Sequence, residues 1–315
     1  MAQPAVTGGA LKALIGVLVV VVILVGAIIG LVNLTPRQLG LQGAVIQGKT
    51  LDEHGLADYK FKEIIEAFKD LTKDAEGIEE QLVENRVDGQ SQTKAEENLK
   101  GGTAESSGKI DYTSLYQNKV YYSESKQIEY TDDSLGAIMN NVLSSASISL
   151  DGGAKEVFLS NAGIEALAAR SVGISGVTVK IAELTLDARD GKINMRIIAI
   201  IDLTQIRNDP AVKEILDKIS GLVKIPDPLK VVAEINVELV HDKANNTIAP
   251  SGNGTVIIQN SRTVTDILFS VQNQITEDGI ASYLGDAVCR IINNLGKVTS
   301  VENGKIVFQT YTRGE

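Results

Sequence analysis

The chain has 315 residues, enough for about two domains, with 43% hydrophobic, 22% charged and 4% aromatic residues and no tryptophan. Lys+Arg number 30 and Asp+Glu 40, and the net charge of −10 excludes a nucleic-acid binder, which needs a basic surface to displace counterions from phosphates. The single cysteine, Cys289, excludes a disulfide framework and Cys-rich zinc or iron–sulfur sites, and His54 and His241 leave little for imidazole chemistry.

After a short tail, residues 1–12, stand 24 residues without a charge, between Lys12 and Arg37. A helix of about 20 apolar residues crosses a hydrocarbon core of roughly 30 Å. The run is too long for the apolar stretch of a secretory signal, and no A-x-A site follows it. Residues 13–36 are therefore expected to be an uncleaved signal anchor, with Leu14–Val32 at its centre. No cysteine lies near, which excludes a bacterial lipoprotein anchor. Lys12 precedes the span, and the acids Asp52 and Glu53 follow it together with Arg37 and Lys49. The charge bias favours an N-terminus in the cytoplasm of a bacterium and a C-terminal domain outside its plasma membrane.

The juxtamembrane region, residues 37–87, carries an apolar seam at 3-4 spacing: Phe61, Ile64, Phe68, Leu71, Ala75, Ile78 and Leu82. That is an a/d pattern over three heptads, on one helix of roughly residues 58–84. Two readings fit it. One is a coiled coil that makes a homodimer; the other is an amphipathic helix packed on its own chain or on the bilayer. The acids on its polar face disfavour an anionic membrane surface. Residues 88–109 have almost no large apolar side chain, so a flexible linker and a domain boundary are expected there.

From residue 110 to 315 the period becomes two, which predicts an α+β domain rich in antiparallel hairpins with short packed helices. Val177, Val179 and Ile181 alternate, and Leu184 and Leu186 continue after a phase slip that implies a bulge. Asp190-Gly191 makes a turn, and Ile193, Met195, Ile197, Ala199 and Ile201 return on one face. Asp209 and Pro210 open a helix with a stripe of Val212, Ile215, Leu216 and Ile219. Val231, Ala233, Ile235, Val237 and Leu239 line a second long strand. Turns at Asn245-Asn246 and Gly252-Asn253-Gly254 lead to a strand over residues 255–259, and residues 305–311 form a last one.

One motif recurs three times: Tyr130-Thr131-Asp132-Asp133, Leu159-Ser160-Asn161 and Ile275-Thr276-Glu277-Asp278. Each is an apolar residue, a Thr or Ser N-cap and a polar first turn, the mark of a strand passing into a helix. These starts, with the strand–AspGly–strand hairpin after the second, resemble the single-pass bacterial membrane proteins of the YpmS and LmeA type, related to tubular lipid-binding folds. The resemblance covers about residues 127–308. It implies an anchor followed by a curved sheet that wraps helices around an apolar groove. It carries over no binding residue, because the matching positions are structural.

No G-x-S-x-G elbow, P-loop, H-E-x-x-H or dinucleotide fingerprint is present, so no catalytic residue, metal or cofactor is expected. Asp132, Asp133, Glu277 and Asp278 are read as first-turn acids favoured by helix dipoles rather than a carboxylate site. His241 is expected in a solvated turn, and Cys289 as a small buried hydrophobe. Tyr112, Tyr116, Tyr121, Tyr122 and Tyr130 form either an aromatic contact surface or ordinary packing. The functional expectation is a non-catalytic, membrane-anchored binding protein. Its apolar groove would be lined by Val177, Val179, Ile181, Ile193, Met195, Ile197, Val231, Ile235 and Val237, and would hold a lipid or envelope amphiphile. The alternative is an envelope scaffold acting through the Phe61–Leu82 seam and protein contacts. Ile198 and Ile200 are apolar on the opposite face, so the hairpin could equally be covered on both sides.

Overall fold

The computed structural model describes residues 33–46, 49–71, 73–83, 89–102, 105–106, 109–112, 114–144, 148–149, 178–202, 204, 227–271 and 277–314. Among them the chain is a mixture of helices and almost wholly antiparallel sheets, as the two periodicities predict. Apart from residues 33–36, the predicted anchor lies outside the described residues, as do Val177, the helix predicted from Asp209 and the Leu159 motif. No helix among the described residues is long and apolar enough to cross a membrane.

The juxtamembrane region is folded chain rather than one long helix. Strands β1 (Val45–Ile46) and β2 (Lys49–Thr50) pair, and Leu51, His54, Leu56 and Ala57 are buried after them. Arg37 bridges Asp52 and Asp58, and the Phe61 amide donates to the Leu34 carbonyl at 3.1 Å. The seam predicted on one long helix is split between α1 (Phe61–Leu71) and α2 (Ala75–Leu82). The break has a local cause: the Asp74 carboxylate accepts from the Glu76 amide at 3.2 Å and caps a new helix.

Residues 89–99, expected within a linker, form helix α3 (Gly89–Leu99). Its sequence hides the helix because only Ala95 and Leu99, one turn apart, face the core. Polar contacts complete the seat: Asn98 donates to the Glu129 carbonyl, Tyr122 donates to the Asn98 carbonyl, and the Tyr112 hydroxyl donates to Glu96. The expected domain boundary therefore does not separate α3 from the C-terminal α+β domain. Strands β3 (Glu105–Ser106) and β4 (Lys109–Ile110) make a small hairpin, and β5 (Tyr121–Tyr122) leads to β6 (Gln127–Thr131).

Strand β6 passes directly into α4 (Asp132–Ser144). The Thr131 hydroxyl accepts from the Ser134 amide at 3.2 Å, so it is the N-cap the motif predicts, and Tyr130 and Leu135 on either side of the cap are both in the core. Thr131→Ala is expected to lower unfolding stability by about 1 kcal/mol, the usual value of a cap, in a urea titration. An unchanged midpoint would count against this assignment.

The centre of the molecule is a five-stranded meander, ordered β11-β10-β9-β8-β7. Its members are β7 (Ile148–Ser149), β8 (Thr178–Arg189), β9 (Lys192–Asp202), β10 (Lys230–Asp242) and β11 (Thr247–Ile258). The predicted phase slip is a register shift between Ile181 and Glu183 against β9. Asp190 and Gly191 turn with positive φ, 48° and 82°, the mirror-image turn that suits the twist of a hairpin. The turn predicted at residues 252–254 is instead a bulge inside β11. There the register jumps from Val237↔Gly254 to Leu239↔Pro250, and Gly252 supplies the positive φ.

Helices α5 (Arg262–Val271) and α6 (Glu277–Leu295) follow, α6 starting next to Thr276 of the third motif. A second sheet of β12 (Lys297–Glu302), β13 (Lys305–Gln309) and β6 closes the fold, with β14 (Tyr311–Thr312) parallel to β5. The core lies between the meander and α4 and α6, and extends to the second sheet. Tyr130 and Phe308 meet edge to face there, 5.4 Å apart. At Gly254, α6 comes so near β11 that an added Cβ would overlap that of Ala281.

The open edges of the meander are satisfied by side chains. Asn140 of α4 accepts from the Leu184 amide at 3.0 Å and donates to its carbonyl at 2.8 Å. Asn293 of α6 does the same for Ile248 of β11, at 2.8 Å each way. Glu277 takes the Val256 amide and Thr265 the Ile258 amide. At these four positions, backbone groups that an edge strand would leave to water or to another chain are taken by side chains of the helices.

Candidate functional site

Of the residues predicted to line a groove, those whose side chains are described do not line one, and Val177 and the Val179 side chain lie outside the described set. Ile181, Ile193, Met195, Ile197, Ile235 and Val237 are buried in the main core, among Leu135, Ile138 and Met139 of α4 and Val288, Ile291 and Ile292 of α6. Ile193 and Ile197 have no exposed surface. Val231 is also buried, and Val179 pairs through its backbone with Ile148 and Ile201. The physical reason is stoichiometric. Two helices supply enough large side chains to fill this face, and a face so filled is an ordinary core.

The opposite face is covered too, by the segment predicted as an oligomer seam. Ala75, Ile78 and Leu82 of α2 pack on Ile198 and Val232, while α1 lies against α5. Phe61 and Ile64 are buried and Leu71 is half-buried within the same chain. Phe68 lies on α1, but its side chain is outside the described set. Among the described side chains, the α2 part of the seam is therefore spent on the chain's own sheet, and α1 packs on α5.

Two polar side chains that carry no sequence motif bracket α2. Gln259 is buried with φ 54°, at a two-residue turn with Asn260. Its carboxamide accepts from the Val232 amide at 2.9 Å. Its Nε2 faces the carbonyls of Asp70, Leu71 and Lys73 at 3.4, 3.1 and 3.2 Å. At the other end Arg196 donates to the Leu82 carbonyl at 2.9 Å and to Glu234 at 2.8 Å, and lies 3.5 Å from buried Glu183. The available signal was position: Arg196 and Glu234 sit on the non-core faces of adjacent strands, in a row otherwise apolar at Ile198, Ile200 and Val232.

Two clefts remain. One, of about 470 Å³, lies beneath α2, where Glu76, Glu79 and Glu80 stand over Lys180, Asp202 and Lys230. The other, about 630 Å³ and wide open, lies where α6 meets β11 and β14. Lys119 sits over the Tyr311 ring at 4.2 Å and Arg290 over Tyr116 at 5.1 Å. The amides around them are engaged in structure: Asn293 clips β11, and Asn294 donates to the Leu115 and Tyr116 carbonyls.

Cys289 lies at this second cleft but is buried, as the sequence predicts. Burial first, and the charge of Asp286 second, push its thiol up to about 12. At pH 8 that leaves about 10³-fold less thiolate than an ordinary cysteine holds, so alkylation of the native protein is expected to be slower by about that factor. Burial costs nothing while native and unfolded chains both hold the proton, below about pH 9. Stability is then lost from there towards pH 12, as only the unfolded chain ionises. Rapid labelling at neutral pH without unfolding would contradict this placement.

The remaining candidates are structural. Tyr116, Tyr122 and Tyr130 are buried, and Tyr112 and Tyr121 are half-buried, so the tyrosine run packs inward rather than forming a contact surface. His241 is not in a turn: it lies in β10, and its Nε2 bonds the Val298 carbonyl of β12 at 2.8 Å. Glu277 is bound to Arg262 and the Val256 amide, which lower its pKa. Among the described residues, no three His, Cys, Asp or Glu side chains are placed to hold a metal ion. No protein-family model, curated protein or solved structure matches the chain.

Proposed function

We propose that this is a non-catalytic binding protein, tethered to the bacterial plasma membrane by the apolar run that precedes residue 33, which presents its α+β domain outside the cytoplasm. The observation that carries the reading is the uncharged 24-residue run, which leads at once into folded chain: Arg37 is ion-paired, and Leu34 is bonded to Phe61. A domain that starts within a few residues of such a run is held close to the bilayer surface. The closed core favours recognition through the outer surface over storage of a lipid inside the sheet. That in turn favours an envelope protein as partner, the scaffold form of the reading, without a coiled coil. The cleft lined by Lys119, Asp286, Arg290 and Tyr311 places unlike charges beside a ring on that surface.

Fractionation of cells carrying a C-terminally tagged full chain tests this. The chain is expected in the membrane pellet after carbonate washing, and its domain is expected to be digested when protease is added to intact spheroplasts. Recovery in the soluble fraction would refute the anchor, and protection from outside protease would refute the orientation.

A further inference from the structure

The segment that covers the second face of the sheet is held in an unusual way. Helix α2 has eight residues, with Gly77 among them, and a helix that short has no stability of its own. Its apolar seat is small, with Ala75, Ile78 and Leu82 on Ile198 and Val232. Beside that seat the contact opens into the cleft of about 470 Å³, where acids of α2 and lysines of the sheet stand apart. Polar side chains hold the chain at either end of it: Gln259 takes the carbonyls of Asp70, Leu71 and Lys73 ahead of α2, where Ser261 also bonds Asp70, and Arg196 takes the Leu82 carbonyl at its end. Neither clamp belongs to the core between the meander, α4 and α6.

We infer that α2 is a strap, clamped at both ends by Gln259 and Arg196, which leaves the sheet as a unit while the core stays closed. Release uncovers Ile198 and Val232 together with the charged row of Glu183, Arg196 and Glu234. The second face of the sheet is then an apolar and charged surface that the resting protein conceals. Segments with few buried apolar contacts open at lower free energy than the core, and this one is placed to do so. The inference does not depend on where the chain is anchored.

The single native cysteine makes a clean test, because Cys289 reports on the core. A reporter thiol is introduced as Val232→Cys in the full chain, in detergent, and maleimide labelling of both positions is followed by mass spectrometry. Gln259→Glu keeps the acceptor for the residue-232 amide but turns a carboxylate oxygen towards the three carbonyls. It is expected to raise labelling at position 232 at least tenfold and leave Cys289 unchanged. Arg196→Met cuts the other clamp and is expected to do the same. Equal rises at both positions, or none at either, would overturn the strap. Should Arg196→Met fail to fold, Gln259→Glu alone decides.

Discussion

Ile197→Glu is expected to abolish the folded state. The side chain has no exposed surface and faces α4 and α6 across the meander, between Ile235 on β10 and Leu184 on β8. A carboxylate placed there loses its water and gains no partner, or takes up a proton and still leaves a polar group unmatched. Either route costs about 5 kcal/mol, close to the whole stability of an ordinary domain. The expected observation is loss of the cooperative thermal transition, with Ile197→Val as a control that costs about 1 kcal/mol and keeps it. A normally folded Ile197→Glu protein would mean that water reaches this face. The groove predicted from the sequence would then exist after all.

Asn140→Leu is expected to have the next largest effect, about 3 kcal/mol. Its carboxamide meets both the amide and the carbonyl of Leu184, where β8 runs on beyond the two-residue partner β7 and has an open edge. An apolar side chain of similar size leaves both groups buried against α4 with nothing to bond, and each such loss costs about 1–3 kcal/mol. The register shift between Ile181 and Glu183 lies next to this clip, so the bulge is also expected to lose its fixed position. Guanidinium unfolding measures the first effect, and hydrogen exchange at Leu184 the second. A stability change below about 0.5 kcal/mol would show that water satisfies the strand instead.

The elements legible in the sequence are those whose information is local. The β8–β9 hairpin, its bulge, the Asp190-Gly191 turn and the Thr131 cap each follow from a few neighbouring residues, and each is present. Helix α3 was not legible because its polar residues are held by distant groups, Asn98 by the Glu129 carbonyl and Glu96 by the Tyr112 hydroxyl, and only Ala95 and Leu99 face the core. The bulge in β11 reads as a turn because a glycine with positive φ serves both.

The candidate site failed for a related reason. Alternation on β9 and β10 shows that one face is apolar, but whether a helix or a ligand covers it depends on elements far away in the chain. The heptad seam of Phe61 to Leu82 has the same ambiguity, since an apolar stripe does not say whose surface it meets. Gln259 and Arg196 carry no motif at all. Their roles exist only once α2 lies on the sheet.

Helices of the chain itself pack on both faces of the meander. Hydrogen exchange along β9 of the full-length protein, compared in detergent and in lipid vesicles, tests it most directly. The amides of Ile197 and Ile198 are expected among the slowest in the molecule, with rates unchanged by lipid. Rapid exchange in detergent that slows only when lipid is supplied would contradict it, and would restore an open face that a lipid fills.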